Sequence, residues 1–130
     1  MTWTELFIVL AISHLVGDYL LQTEWQARNK AGGLGSDPLA RRALLAHVAT
    51  YTLAFVPALI WLADVEGGGI ALLAALAIAL PHLVIDDRRL IERYAVTVKG
   101  CSDPPPSSVI APLDQSLHLI CLWIVAVLVV

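Results

Sequence analysis

The chain has 130 residues, of which 58% are apolar and 15% charged, whereas an ordinary soluble domain carries about 25% charged and 45–50% apolar residues. This composition excludes a disordered chain and argues against a soluble one, and the formal net charge of −3 offers no electrostatic footprint for DNA or RNA. Cys101 and Cys121 form no close pair and no disulfide framework. The length suits one domain, residues 1–130.

Four apolar stretches are each long enough to cross about 30 Å of hydrocarbon at about 1.5 Å per residue. They lie near 3–23, 39–63, 68–87 and 108–130. The first opens on Thr2-Trp3-Thr4-Glu5, a cap followed by an acidic first turn. It has no basic segment before it and no small-residue cleavage site, so it reads as a retained anchor. Gly32-Gly33, Gly35 and Asp37-Pro38 break the chain after it. Gly67-Gly68-Gly69 makes a tight turn between the second and third stretches. Ser102-Asp103-Pro104-Pro105-Pro106 separates the third from the fourth, and Pro112 falls in the first turn of the last.

All eight basic residues fall in two segments, Arg28 to Arg42 and Arg88 to Lys99. With four spans these segments share one side of the membrane, and the other side holds Glu5, Asp64 and Glu66 with no Lys or Arg. The positive-inside rule then predicts an all-α, integral membrane four-helix bundle with polar cytoplasmic loops and both termini outside.

Ionisable groups within spans are costly and ask for an explanation. The chain has four histidines, and three pair with an aspartate four residues away: His14 with Asp18, His82 with Asp86, and, in reversed order, Asp114 with His118. His47 stands in the second stretch with Tyr51 four residues on. This spacing stacks two side chains on one helix face. The reversal in the last span keeps each Asp nearer the cytoplasmic end, because that span runs outward. The groups are therefore expected to converge on one layer about 10 Å below the cytoplasmic surface. One such pair is ordinarily interhelical hydrogen bonding. Three in register with His47 point to metal ligation by His14, Asp18, His47, His82, Asp86, Asp114 and His118. Imidazole with carboxylate suits one or two divalent ions, zinc first, iron or manganese next.

The string His14-Leu-Val-Gly-Asp-Tyr-Leu-Leu-Gln-Thr23 with Lys30, then His47 with Tyr51, His82-x-x-Ile-Asp86 and Asp114-Gln-x-x-His118 resembles a family of small bacterial and phage membrane proteins catalogued as a domain of unknown function. More loosely, it is similar to bacterial membrane-bound metal-dependent hydrolases, which also place His and Asp at span ends. The resemblance implies a multi-pass protein of the bacterial inner membrane and leans toward hydrolysis. Gln22 and Gln115 match the family motifs as donors to substrate or to the ligands. Arg89 stands where the family pattern leads one to expect a lysine, which keeps the charge.

The reading reached is an intramembrane metal-dependent hydrolase with a His/Asp site near the cytoplasmic face. Asp18 or Asp114 would serve as catalytic base, and Gln22, Gln115, Arg89 and Lys30 would hold a lipid headgroup or small anionic substrate. The alternatives are a metal-ion or proton transporter, disfavoured by apolar outer span halves, and a structural or sensory subunit. A homodimer fits the lipid-facing surface of so small a bundle.

Overall fold

A computed structural model describes residues 1–130; its elements are all helical. Helix α1, Trp3–Leu15, starts at a capping box. The Thr2 hydroxyl accepts from the Glu5 N–H at 3.3 Å, and the Thr2 N–H donates to Glu5 Oε2 at 2.7 Å. The chain then widens into a π-helical turn, Val16–Leu20, where the Leu21 N–H donates to the Val16 carbonyl at 2.9 Å. The first span therefore ends at Leu20 and not at Thr23, because Thr23 caps a new helix. That helix, α2 (Glu24–Asn29), opens on a second capping box, between Thr23 and Gln26.

Helix α3, Pro38–Ala54, begins with Asp37 accepting from the Leu39 N–H at 2.9 Å and Pro38 in its first turn. The expected second span is broken: α4, Val56–Glu66, leaves α3 at 52°. Pro57 explains the break, since it has no N–H and its ring clashes with the carbonyl four residues back, at Leu53. Gly67, at φ 96°, turns the chain into α5, Gly68–Asp86. Arg88, at φ 66°, turns it again into α6, Arg89–Thr97. Helix α7 is Ser107–Val129. It starts just before the predicted span, so Pro112 lies in its second turn and forgoes a hydrogen bond to Ser108.

Helices α2 and α6 were read as loops in the sequence. The basic segment after α5 is a nine-residue helix whose Ile91 and Ala95 are buried on Ile85 and Ile110. It is too short to register as a span.

A larger cluster lies between α1, α3, α4, α5 and α7, with Leu6, Leu10, Tyr51, Phe55, Ile78 and Leu122 among its members. Met1, Ala63, Ile70 and Val129 pack against it, so the two chain ends and the α4–α5 turn share one end of the molecule. The two basic segments meet at the other end. There the Gly32 N–H donates to the Asp87 carbonyl at 2.9 Å, and the Leu34 N–H donates to Asp87 Oδ1 at 2.7 Å. Helices α5 and α7, and α1 with its π turn, are long and apolar enough to cross a membrane; α3 with α4 makes a fourth if the bent pair is one span. Ile8, Ile12, Leu72, Leu80 and Leu128 point outward, as helices facing hydrocarbon require.

Close approach of the π turn to α3 depends on Gly17. A Cβ there would sit 2.7 Å from Tyr51 Cδ2 and 3.3 Å from Tyr51 Cα. Gly17→Ala is expected to cost about 1–3 kcal/mol by overpacking, read as a lower unfolding midpoint in detergent. An unchanged midpoint would show that the two backbones part freely.

Candidate metal centre

Each of the four longest helical segments contributes to one buried cluster. The π turn of the first brings Asp18 one wide turn below His14. Helix α3 brings His47 and Tyr51 on one face, α5 brings His82 and Asp86, and α7 brings Asp114 and His118. His14, His47, His82 and Asp86 are essentially inaccessible, and Asp18 is 8% exposed.

Four donors come closest together. His47 Nε2 lies 2.8 Å from Asp86 Oδ2 and 3.2 Å from Asp18 Oδ1. His82 Nε2 lies 3.1 Å from Asp86 Oδ2 and 3.0 Å from His47 Nε2. The two imidazole nitrogens make one hydrogen bond, with one donating and the other accepting, and with both deprotonated the same four atoms would serve as a ligand set for one ion. The seven residues fall into three overlapping groups whose ligand atoms lie within 4.8 Å of one another: Asp18/His47/His82/Asp86, His14/Asp18/His118 and Asp86/Asp114/His118. Asp86 joins the first and third. Its Oδ2 faces His47 and His82, while its Oδ1 lies 3.8 Å from His118 Nε2. The predicted convergence of all seven groups is present.

Their roles differ. His14 is committed on both nitrogens: Nε2 donates to Gln115 Oε1 at 2.9 Å, and Nδ1 accepts from the Tyr51 hydroxyl at 3.0 Å. This assignment fixes its tautomer, because an amide oxygen can only accept. Gln115 also donates to Asp18 Oδ2 at 3.4 Å, so it braces the cluster with both ends of its amide. Tyr51, fully buried, stacks on His82 with ring centroids 3.4 Å apart and planes 4° from parallel. His118 has no hydrogen-bond partner on either nitrogen, although its Nδ1 is 3.3 Å from Asp114 Oδ1.

Charge and hydrogen bonding both indicate that this set is made to hold something. The buried side-chain polar atoms without a partner are Asp18 Oδ1, Gln22 Oε1, Asp86 Oδ1, Asp114 Oδ1, both nitrogens of His118, and the Nδ1 atoms of His47 and His82, whose Nε2 atoms pair with each other. Buried polar groups are nearly always paired, and each orphan costs about 1–3 kcal/mol. Three carboxylates, Asp18, Asp86 and Asp114, lie within the protein, and the only Lys or Arg within reach of them is Lys30, whose Nζ is 2.7 Å from Asp86 Oδ2. With all three ionised, Lys30 would offset one charge and a divalent cation would neutralise the other two. The donors are nitrogen and oxygen, without thiolate, which fits zinc, iron or manganese.

A cleft of about 190 Å³ opens onto the cluster, lined by Asp18, Tyr19, Gln22, Ala27, Lys30, Arg88, Ala111, Asp114 and Gln115. Of the residues expected to hold a substrate, Lys30, Gln22 and Gln115 line it. Arg89 does not. It folds back on Asp87, with Nε 2.7 Å from Oδ2, and lies beside Gly35. Arg88 takes its place, because the left-handed turn at Arg88 rotates α6 out of phase with α5. Asp87, 4% exposed, was not singled out in the sequence; its link to the 32–34 loop holds Lys30 over the site, and an acidic residue following a His-x-x-Ile-Asp run was the available signal.

Buried His/Asp groups able to hold a metal, set among apolar helices, define a helical protein with a candidate metal centre. The chain belongs to the family described as Protein of unknown function (DUF3307), whose sequence pattern matches residues 6–130, in agreement with the motifs that carried the resemblance. No curated protein and no solved structure matches it.

Proposed function

We propose that the protein is an intramembrane metal-dependent hydrolase: a four-span bundle of the bacterial inner membrane, termini outside, with its His/Asp centre near the cytoplasmic face. The observation that carries this reading is the four-donor set of Asp18, His47, His82 and Asp86, with uncompensated negative charge beside an open cleft. The gathering of both basic segments at the cleft end supports the orientation.

A divalent ion on those donors would supply a water of lowered pKa and polarise the bond to be cut. Zinc is the first choice for His₂Asp₂, and the shared Asp86 leaves room for a second ion toward Asp114 and His118. The chain's own residues do the rest. Tyr51 and Gln115 hold His82, His14 and Asp18 in place. Asp114 lies on the cleft, and the only basic side chain within 4.0 Å of its carboxylate is His118. It is therefore free to take a proton from the attacking water, in preference to Asp18, which is committed to the four-donor set. A transport role finds less support, because Phe55, Leu6, Leu10 and Leu122 close the interior on the far side of Tyr51.

The test is Asp114→Asn with zinc restored and a panel of phosphoester and amide substrates. The variant is expected to keep its metal and lose about a hundredfold or more in turnover. Full activity in Asp114→Asn would remove its role as base, and no activity of the metal-loaded wild type on any substrate would count against hydrolysis.

A further inference from the structure

Beside the four-donor set the cleft carries a second, separate chemistry. Arg88 has no carboxylate within 4.0 Å, unlike Arg89, which is neutralised by Asp87. It is also the only residue other than glycine with positive φ, at 66°, a conformation that costs a side-chain-bearing residue free energy and tends to persist where function requires it. A glycine at the α5–α6 corner would make the same turn without strain. Across the cleft stand the Gln22 amide, whose Nε2 can donate, and Lys30, which is 6% exposed with its Nζ 2.7 Å from Asp86 Oδ2. An arginine fork, an ammonium and an amide on one small polar cavity form an oxyanion receptor. The volume is below that of a drug-sized pocket, so it admits a headgroup and not a whole lipid. A second polar pocket of about 130 Å³ shares Arg88 and Ala111 with it, so Arg88 lines both cavities.

We infer that this cleft is a phosphoryl-oxyanion subsite built on Arg88, with Lys30 and Gln22 as its other walls, and that the protein's substrate class is an anionic phosphate compound. The inference deepens the hydrolase reading and rests on it for the reaction, but not for the binding. Asp18 and Asp114 lie on the same cleft and orient the ligand, since they repel phosphoryl oxygens toward Arg88.

The full chain in detergent, both stripped by chelator and reloaded with zinc, is titrated calorimetrically with inorganic phosphate, short-chain phosphatidic acid and short-chain phosphatidylcholine. Phosphatidic acid or phosphate is expected to bind and phosphatidylcholine to bind weakly. Arg88→Gly is expected to weaken the anions at least about tenfold, which is about 1.4 kcal/mol, without lowering the unfolding midpoint, because glycine relieves the φ of 66°. Arg88→Lys should recover part of the loss. Tighter binding of phosphatidic acid than of phosphate marks a membrane-borne ligand, and the reverse a free one. Equal binding by wild type and Arg88→Gly, or no anion binding in either metal state, overturns the subsite. Arg88-dependent binding by a protein that takes up no zinc, iron or manganese sustains the subsite and sinks the metal reading. Zinc uptake without anion binding does the opposite.

Discussion

Protein purified in detergent is expected to carry one or two equivalents of zinc, iron or manganese by elemental mass spectrometry, and His82→Ala and Asp86→Asn are expected to lose it. The two substitutions act differently. His82→Ala removes one of the four closest donors and the partner on which Tyr51 stacks. Replacing groups that merely support a metal ligand costs 10–100-fold in affinity, so loss of a ligand should cost about a hundredfold or more. Asp86→Asn removes the carboxylate shared by His47, His82 and Lys30. It also strands a buried ammonium, a break that typically costs about 3–5 kcal/mol, so its unfolding midpoint should fall further than that of His82→Ala. Wild-type protein without metal, even after reconstitution, would mean that the leftover negative charge is met by protonated imidazoles. The cluster would then be a buried hydrogen-bond network.

The second large effect is expected at Tyr51. Tyr51→Ala empties a fully buried site between the cluster and the apolar core and should destabilise the protein by about 3–5 kcal/mol. Tyr51→Phe keeps the ring and its stack on His82 but deletes the hydroxyl that donates to His14 Nδ1 at 3.0 Å. The orphaned nitrogen should cost about 1–3 kcal/mol. Metal affinity separates the possible roles. If Tyr51 positions His82 by stacking, Tyr51→Phe retains metal and Tyr51→Ala binds it more weakly. If both variants bind as wild type does, the tyrosine is core filling only.

The His/Asp cluster was legible in the sequence because a spacing of four survives any tertiary arrangement: His82 and Asp86 face the same way wherever α5 packs. The reversed order Asp114 then His118 likewise carried information about chain direction. Features set at helix junctions were not legible. Thr23-x-x-Gln26 is a capping signal at the end of one apolar run, and Pro57 lay inside another, so both breaks were written in the residues and outweighed by hydropathy. The positive φ of Arg88 follows from no propensity. Without it, helical phase favours Arg89, three residues after Asp86, as the residue that reaches the cleft. The burial of Lys30 depends on a loop that Asp87 secures from 53 residues away in sequence, which no local pattern encodes.

Tyr51 and Phe55 belong to the apolar cluster that packs beneath the His/Asp layer, and Arg88 lines the cleft together with Asp18 and Asp114. In the proposed hydrolase, a product that leaves past Arg88 would occupy the passage that the next reactant needs, and its accumulation would slow turnover by simple competition.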